Sequence, residues 1–195
     1  MITPLDLIIW LLLLLTLGAG TTVAVLSFLR PNHLLTWLAA GALLVALLFA
    51  WLARPDVPAV VDLVVAVVAT GLAVLGGGPA ARLALDLATK GSVREGIHGG
   101  IVVPQDARDA QGVLYRTDRE VLRGGTTIGV LERFATVASV IAGLPEALAV
   151  IVAVKGVGRF TELESSEARE RFIIGTFASL IWACVCGAVV RLVIA

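Results

Sequence analysis

Charge is scarce in this sequence. Asp, Glu, Lys and Arg make up only 15% of its 195 residues, divided evenly between 15 basic and 15 acidic side chains. Soluble domains carry about 25%. With a net charge of zero, nothing in the balance favours nucleic acid as a partner. Cysteine is scarcer still. Cys184 and Cys186 are the only two, and their spacing turns them about 200° apart on a helix. That disfavours a disulfide between them. No neighbouring His or third Cys completes a metal site.

Catalytic signatures are also missing. There is no Ser-His-Asp arrangement, no metal motif and no zincin signature. "GSVREGIHGG" has four glycines but lacks the Walker spacing and the Lys-Ser/Thr ending of a phosphate loop. His98 has no acidic or thiol partner at a telling spacing and reads as an ordinary loop residue. His98 with Asp106 or Asp109 is the least poor set for an enzyme acting on a lipid. The expectation is therefore no cofactor and no metal, and the balance leans away from an enzyme.

Apolar sequence is abundant. Hydrophobic residues reach 58% and the mean hydropathy is +0.98. A soluble fold of this size could not hide so much apolar surface, so a bilayer must take part of it. A helix needs about 20 apolar residues to cross. "MITPLDLIIWLLLLLTLGAG" lacks the basic start of a signal peptide, and its apolar run is too long for one, so it reads as a retained first span.

The pattern predicts an all-α, polytopic transmembrane bundle of about six spans with a short cytoplasmic segment. Span one covers about 5–29 and ends at Arg30-Pro31. Span two covers about 34–53, with Trp37 and Trp51 near its ends. Span three covers about 59–75 and breaks at "GGGP". The following "AARLALDLATK" reads as an amphipathic helix on the membrane surface, with one long, kinked span as the alternative. These form an N-terminal region, 1–90. Residues 91–125 form a polar cytoplasmic loop, in which "GIVVP" and "GVLYRT" could pair as a hairpin across "QDARDAQ". Residues 126–195 form a C-terminal sub-bundle. Its spans lie at about 126–142, 145–160 and 172–194, with Ser165 or Ser166 as an N-cap for the last. The fourth and fifth are short and have a re-entrant pair as their alternative.

Basic residues orient the chain. With the N-terminus outside, twelve of them fall on the inner side, from Arg30 to Arg171. Only Arg54 and Arg191 fall outside, and Arg133 lies within a span. That bias predicts a cell-membrane protein with both termini outside.

Charges inside spans are costly and usually functional or paired. On span four, Gly125, Gly129, Glu132, Thr136, Ser139 and Gly143 recur at helical spacing and should face the protein. Arg133, about 100° round the helix, is expected to snorkel to the cytoplasmic headgroups. Lys155 and Arg159, four apart on span five, need an anion between them. Glu132, Glu162, a lipid phosphate or a bound solute would serve. Lys155 and Arg159 as plain interface anchors is the competing reading. Ala149, Ala153 and Gly156 on span five, and Gly175, Ser179, Ala183 and Gly187 on span six, read as packing stripes.

The pattern Gly129-x-Leu131-Glu132-Arg133, then Lys155-Gly156-x-x-Arg159-Phe160-x-Glu162-Leu163, then Ile174-Gly175-Thr176, resembles a group of small bacterial integral membrane proteins defined by a domain of unknown function. The resemblance covers roughly 124–187. It implies that these charged positions are a signature, and it brings no activity. Two functions fit the sequence. One is binding or transport of an anionic solute or lipid headgroup through Glu132, Arg133, Lys155, Arg159 and Glu162. The other is a structural subunit or homo-oligomeric scaffold. Membrane lipids are the expected partners of either.

Overall fold

The structure, a computed structural model, describes residues 3–53, 59–89, 94–95, 101–108, 114–121, 125–158, 160 and 166–194. Six helices account for most of them: α1 (Pro4–Leu29), α2 (His33–Leu52), α3 (Ala59–Thr89), α4 (Gly125–Ile141), α5 (Glu146–Gly158) and α6 (Ser166–Ile194). Between α3 and α4 lie three strands, β1 (Arg94–Glu95), β2 (Ile101–Arg108) and β3 (Leu114–Val121), antiparallel in the order β1-β2-β3. The hairpin runs from Ile101 opposite Val121 to Arg108 opposite Leu114. Residues 105–108, read as part of its turn, instead extend β2.

Local chemistry sets the helix starts. Pro4 occupies the first turn of α1, where its missing N–H costs nothing. Thr3 and Asp6 cap that end reciprocally: the Thr3 N–H donates to the Asp6 carboxylate at 2.9 Å, and the Asp6 N–H donates to the Thr3 hydroxyl at 3.3 Å. Asn32 caps α2 by accepting from the Leu34 N–H at 2.9 Å. The buried hydroxyls of Ser27 and Thr36, 2.8 Å apart, then tie α1 to α2 beside the connection.

Four helices, α1, α2, α3 and α6 from Ala168 onward, are long and apolar enough to cross a membrane. They mark a membrane protein. The expected six spans reduce to these four by length and composition. The 17 residues of α4 and the 13 of α5 give only about 26 Å and 20 Å, at 1.5 Å per residue. The hydrocarbon layer is about 30 Å thick. Together α4 and α5 make a helical hairpin that turns at Gly143, where φ is +70°, a conformation glycine adopts without strain. The turn lies beside Arg191 near the end of α6. The hairpin therefore runs along the bundle rather than doubling back midway, which does not favour a re-entrant pair.

The "GGGP" segment does not end α3. The helix continues for 31 residues with Pro79 inside it. The glycines are packing sites instead. A Cβ on Gly76 would sit 2.5 Å from the Trp182 ring of α6, and one on Gly77 would sit 2.2 Å from Cδ of Arg133. The Trp182 indole N–H donates to the Leu72 carbonyl at 3.0 Å across the same seam. Tertiary contact thus overrides local helix-breaking propensity.

Leu13, Leu17, Val65, Leu72, Val137 and Val189 form the centre of the core. Around it, α1 packs on α2 and α3, while α6 packs on α3 and α4. α5 lies mainly against α4 and has no buried residue. On α6, the predicted small-residue stripe makes close contacts. Gly187 is the tightest: a Cβ there would approach Val140 to 2.8 Å. The stripe on α5 does not, since Ala149 and Ala153 are exposed.

The seam makes a specific prediction. Gly187→Ala should destabilise the purified protein by about 1–3 kcal/mol, the usual cost of overpacking. Gly18→Ala, where nothing lies within 4 Å, should be neutral or stabilising by up to about 1 kcal/mol through helix propensity. Thermal melts in one detergent compare the two, and equal melting temperatures would refute the seam.

Candidate functional site

The inward face of α4 is turned one residue from expectation. Gly129, Arg133, Thr136 and Val137 are its buried residues. Arg133, expected to snorkel to the headgroups, is instead only 4% exposed and reaches into the bundle. Its Nε donates to the Val74 carbonyl of α3 at 2.8 Å, and its Nη1 donates to the Ser179 hydroxyl of α6 at 3.1 Å. Gly77 and Gly129 make room for it. A Cβ on Gly129 would lie 3.0 Å from Nη1. A buried guanidinium needs such acceptors, because lipid supplies none. Arg133 is thus a pin through three helices and is occupied by the fold.

Glu132 cannot share that direction, since the next residue on a helix lies about 100° away. It faces α5, where its carboxylate accepts from the Lys155 ammonium and the two form an ion pair. Their side chains are 11% and 16% exposed, respectively. The ring of Phe172, from α6, lies under the ammonium at 5.7 Å from Nζ to its centroid. That is within cation–π range. Two of the expected site residues are therefore together, and a third, Arg133, points elsewhere. Arg159 and Glu162 lie outside the described residues, as does His98.

The pair bridges a cleft of about 440 Å³ between α4 and α5. Ile128 and Gly158 flank one side of the pair, and Ala135, Val150 and Ile151 flank the other. All the lining residues other than Glu132 and Lys155 are apolar or glycine. Sequence reasoning missed the cleft itself, because a groove between two short helices leaves no residue pattern of its own. It also missed Phe172 as a partner. The one available signal was an aromatic at the opening of the last span.

Among the described residues, no group of three or more His, Cys, Asp or Glu could hold a metal ion. The two cysteines are not paired with each other. Elsewhere, His33 at the start of α2 lies 3.0 Å from the Asp86 carboxylate near the end of α3, at an exposed position. Among the described residues, the α4–α5 site offers an apolar slot with one anion and one cation across it, and no hydroxyl or thiol nucleophile. Comparison with protein families, with curated proteins and with solved structures finds no match.

A half-buried ion pair is costly to break from one side and cheaper to remove whole. Lys155→Met should lower stability by about 1–3 kcal/mol, the cost of a stranded buried polar group. Adding Glu132→Leu should recover at least half of that loss. Melting temperatures of the two single variants and the double variant form the cycle. Strict additivity would show that the two side chains are not coupled.

Proposed function

We propose that this protein binds a membrane lipid, with an acyl chain in the α4–α5 cleft and the phosphate of the headgroup at Lys155. The observation that carries the reading is an apolar slot whose only polar feature, among the described residues, is the Glu132–Lys155 pair. Small-molecule sites have this form: an apolar wall with a few placed polar groups that fix orientation. A small hydrophilic anion gains nothing from the walls, whereas an acyl chain fills them. Glu132 is the counter-ion that holds Lys155 in place before the ligand arrives.

The alternative, a structural subunit or homo-oligomeric scaffold, drew on the small-residue stripes. Gly20, Gly76 and Gly187 meet side chains of their own chain. This favours a role for them in the internal fold over one in a partner interface.

The orientation belongs to the same proposal. The N-terminus lies outside and 91–125 lies in the cytoplasm. The α4–α5 hairpin lies along the bundle with its open end toward the cytoplasmic side and its turn beside Arg191. Basic residues on the inner side support this arrangement, and the exposed Val150, Val154 and Val157 of α5 suit lipid. The binding pair then lies about 10 Å in from the start of α4, seven residues along the helix. Headgroup depth is within reach of a lysine stem from there.

Ala135→Trp tests the reading without touching a charge. The full chain, reconstituted in vesicles with a phospholipid bearing a photoactivatable acyl chain, should be labelled at 128–135 and 150–158. Labelling at Ile151 relative to exposed Val157 should fall at least fivefold in the tryptophan variant, with melting temperature as the folding control. An unchanged ratio in a folded variant would eliminate the cleft as a lipid site.

A further inference from the structure

If the cleft is a lipid site, its charge content restricts the headgroup. Among the described residues its walls carry one cation, Lys155, and one anion, Glu132, already paired. Arg133 is turned into the bundle and held by Val74 and Ser179. α6 contributes the Phe172 ring beneath Lys155. The described walls therefore carry no net charge before a ligand enters.

A headgroup with a single negative charge would take Lys155 from Glu132 and leave a carboxylate unanswered between apolar walls. A stranded charge in such surroundings is strongly penalised. A headgroup with one anion and one cation avoids this. Its phosphate accepts from the Lys155 ammonium while its own cation faces Glu132. The pair opens into a closed ring of four alternating charges, and the site remains neutral. Glu132 selects further among cations. A primary ammonium donates N–H bonds to a carboxylate, and charge-assisted bonds of this kind are the strong ones. A quaternary ammonium has no N–H to give.

We propose that the site selects a zwitterionic phospholipid whose headgroup carries a phosphate and a primary ammonium, and that Glu132 and Lys155 are jointly its specificity-determining residues. The inference rests on the cleft being a lipid site, and the following test separates the two ideas.

Detergent-solubilised full-length protein is titrated with three phospholipids of identical acyl chains, bearing phosphoethanolamine, phosphocholine or phosphoglycerol headgroups. Bound lipid is counted by native mass spectrometry. Binding to the Ala135→Trp variant is subtracted as the component outside the cleft. The wild type should prefer phosphoethanolamine by about tenfold over each of the others. Glu132→Gln leaves Lys155 as a lone cation and should reverse the order in favour of phosphoglycerol. If the wild type prefers phosphoglycerol, or takes all three equally within the cleft component, the neutral-headgroup inference is wrong and the lipid site stands. If no lipid shows a component that Ala135→Trp removes, the lipid site itself is wrong. The wild-type comparison decides the matter even if the Glu132 variant does not fold.

Discussion

The organisation of this protein depends on where one guanidinium goes. Arg133 occurs in a helix surrounded by apolar sequence, and its charge cannot be left in hydrocarbon without partners. It is answered by a backbone carbonyl of α3 and a hydroxyl of α6. Its stem passes over Gly77, where any side chain would collide with it. This single insertion fixes the rotation of α4 about its axis. With Arg133 inside, Glu132 points sideways toward α5. The Glu132–Lys155 pair and the cleft it bridges follow from that rotation.

The same reasoning explains what the sequence revealed and what it hid. The long spans were legible because nearly unbroken apolar runs of about 20 residues have few other stable outcomes. The ends of α1 and α2 were legible because Arg30-Pro31 and the segment from Arg54 punctuate the chain strongly. "GGGP" misled, because glycine next to proline usually stops a soluble helix. Inside a bundle the glycines instead let Trp182 and Arg133 approach. The hairpin between 101 and 121 was visible as two β-prone runs, although its strands extend further than composition suggested.

Glu132 and Arg133 show where one-dimensional reading stops. The small-residue periodicity placed Glu132 inward and Arg133 outward, because Gly129 and Thr136 flank Glu132 at helical spacing. The two residues differ by one position, about 100° of helix. A stripe of small residues is wide enough to include either. The deciding fact lies largely on another helix: only a longer side chain reaches Val74, and Gly77 leaves room for its stem. Within 125–143 only Gly129 bears on it, and Gly129 flanks Glu132 as closely as Arg133. The link from Glu132 to Lys155 was nevertheless recoverable. An acid and a base at similar depth in successive short helices have few other partners.

The attachment of α5 follows from the medium. In water, the apolar contact between α4 and α5 would be driven together by the hydrophobic effect. Lipid tails are as apolar as leucine, so that drive is absent in a bilayer, and packing and polar contacts remain. No residue of α5 is buried, so the packing contribution is small. The Glu132–Lys155 pair and the Phe172 ring under it then carry much of what holds α5 in place. A headgroup that inserts into this pair acts on the contact that fixes the helix. In the proposed complex a neutral headgroup would re-form the charge balance across the cleft and keep α5 docked, whereas an anion competing for Lys155 would weaken the bridge. In the proposed lipid complex, ligand choice and the seating of α5 would depend on the same two side chains.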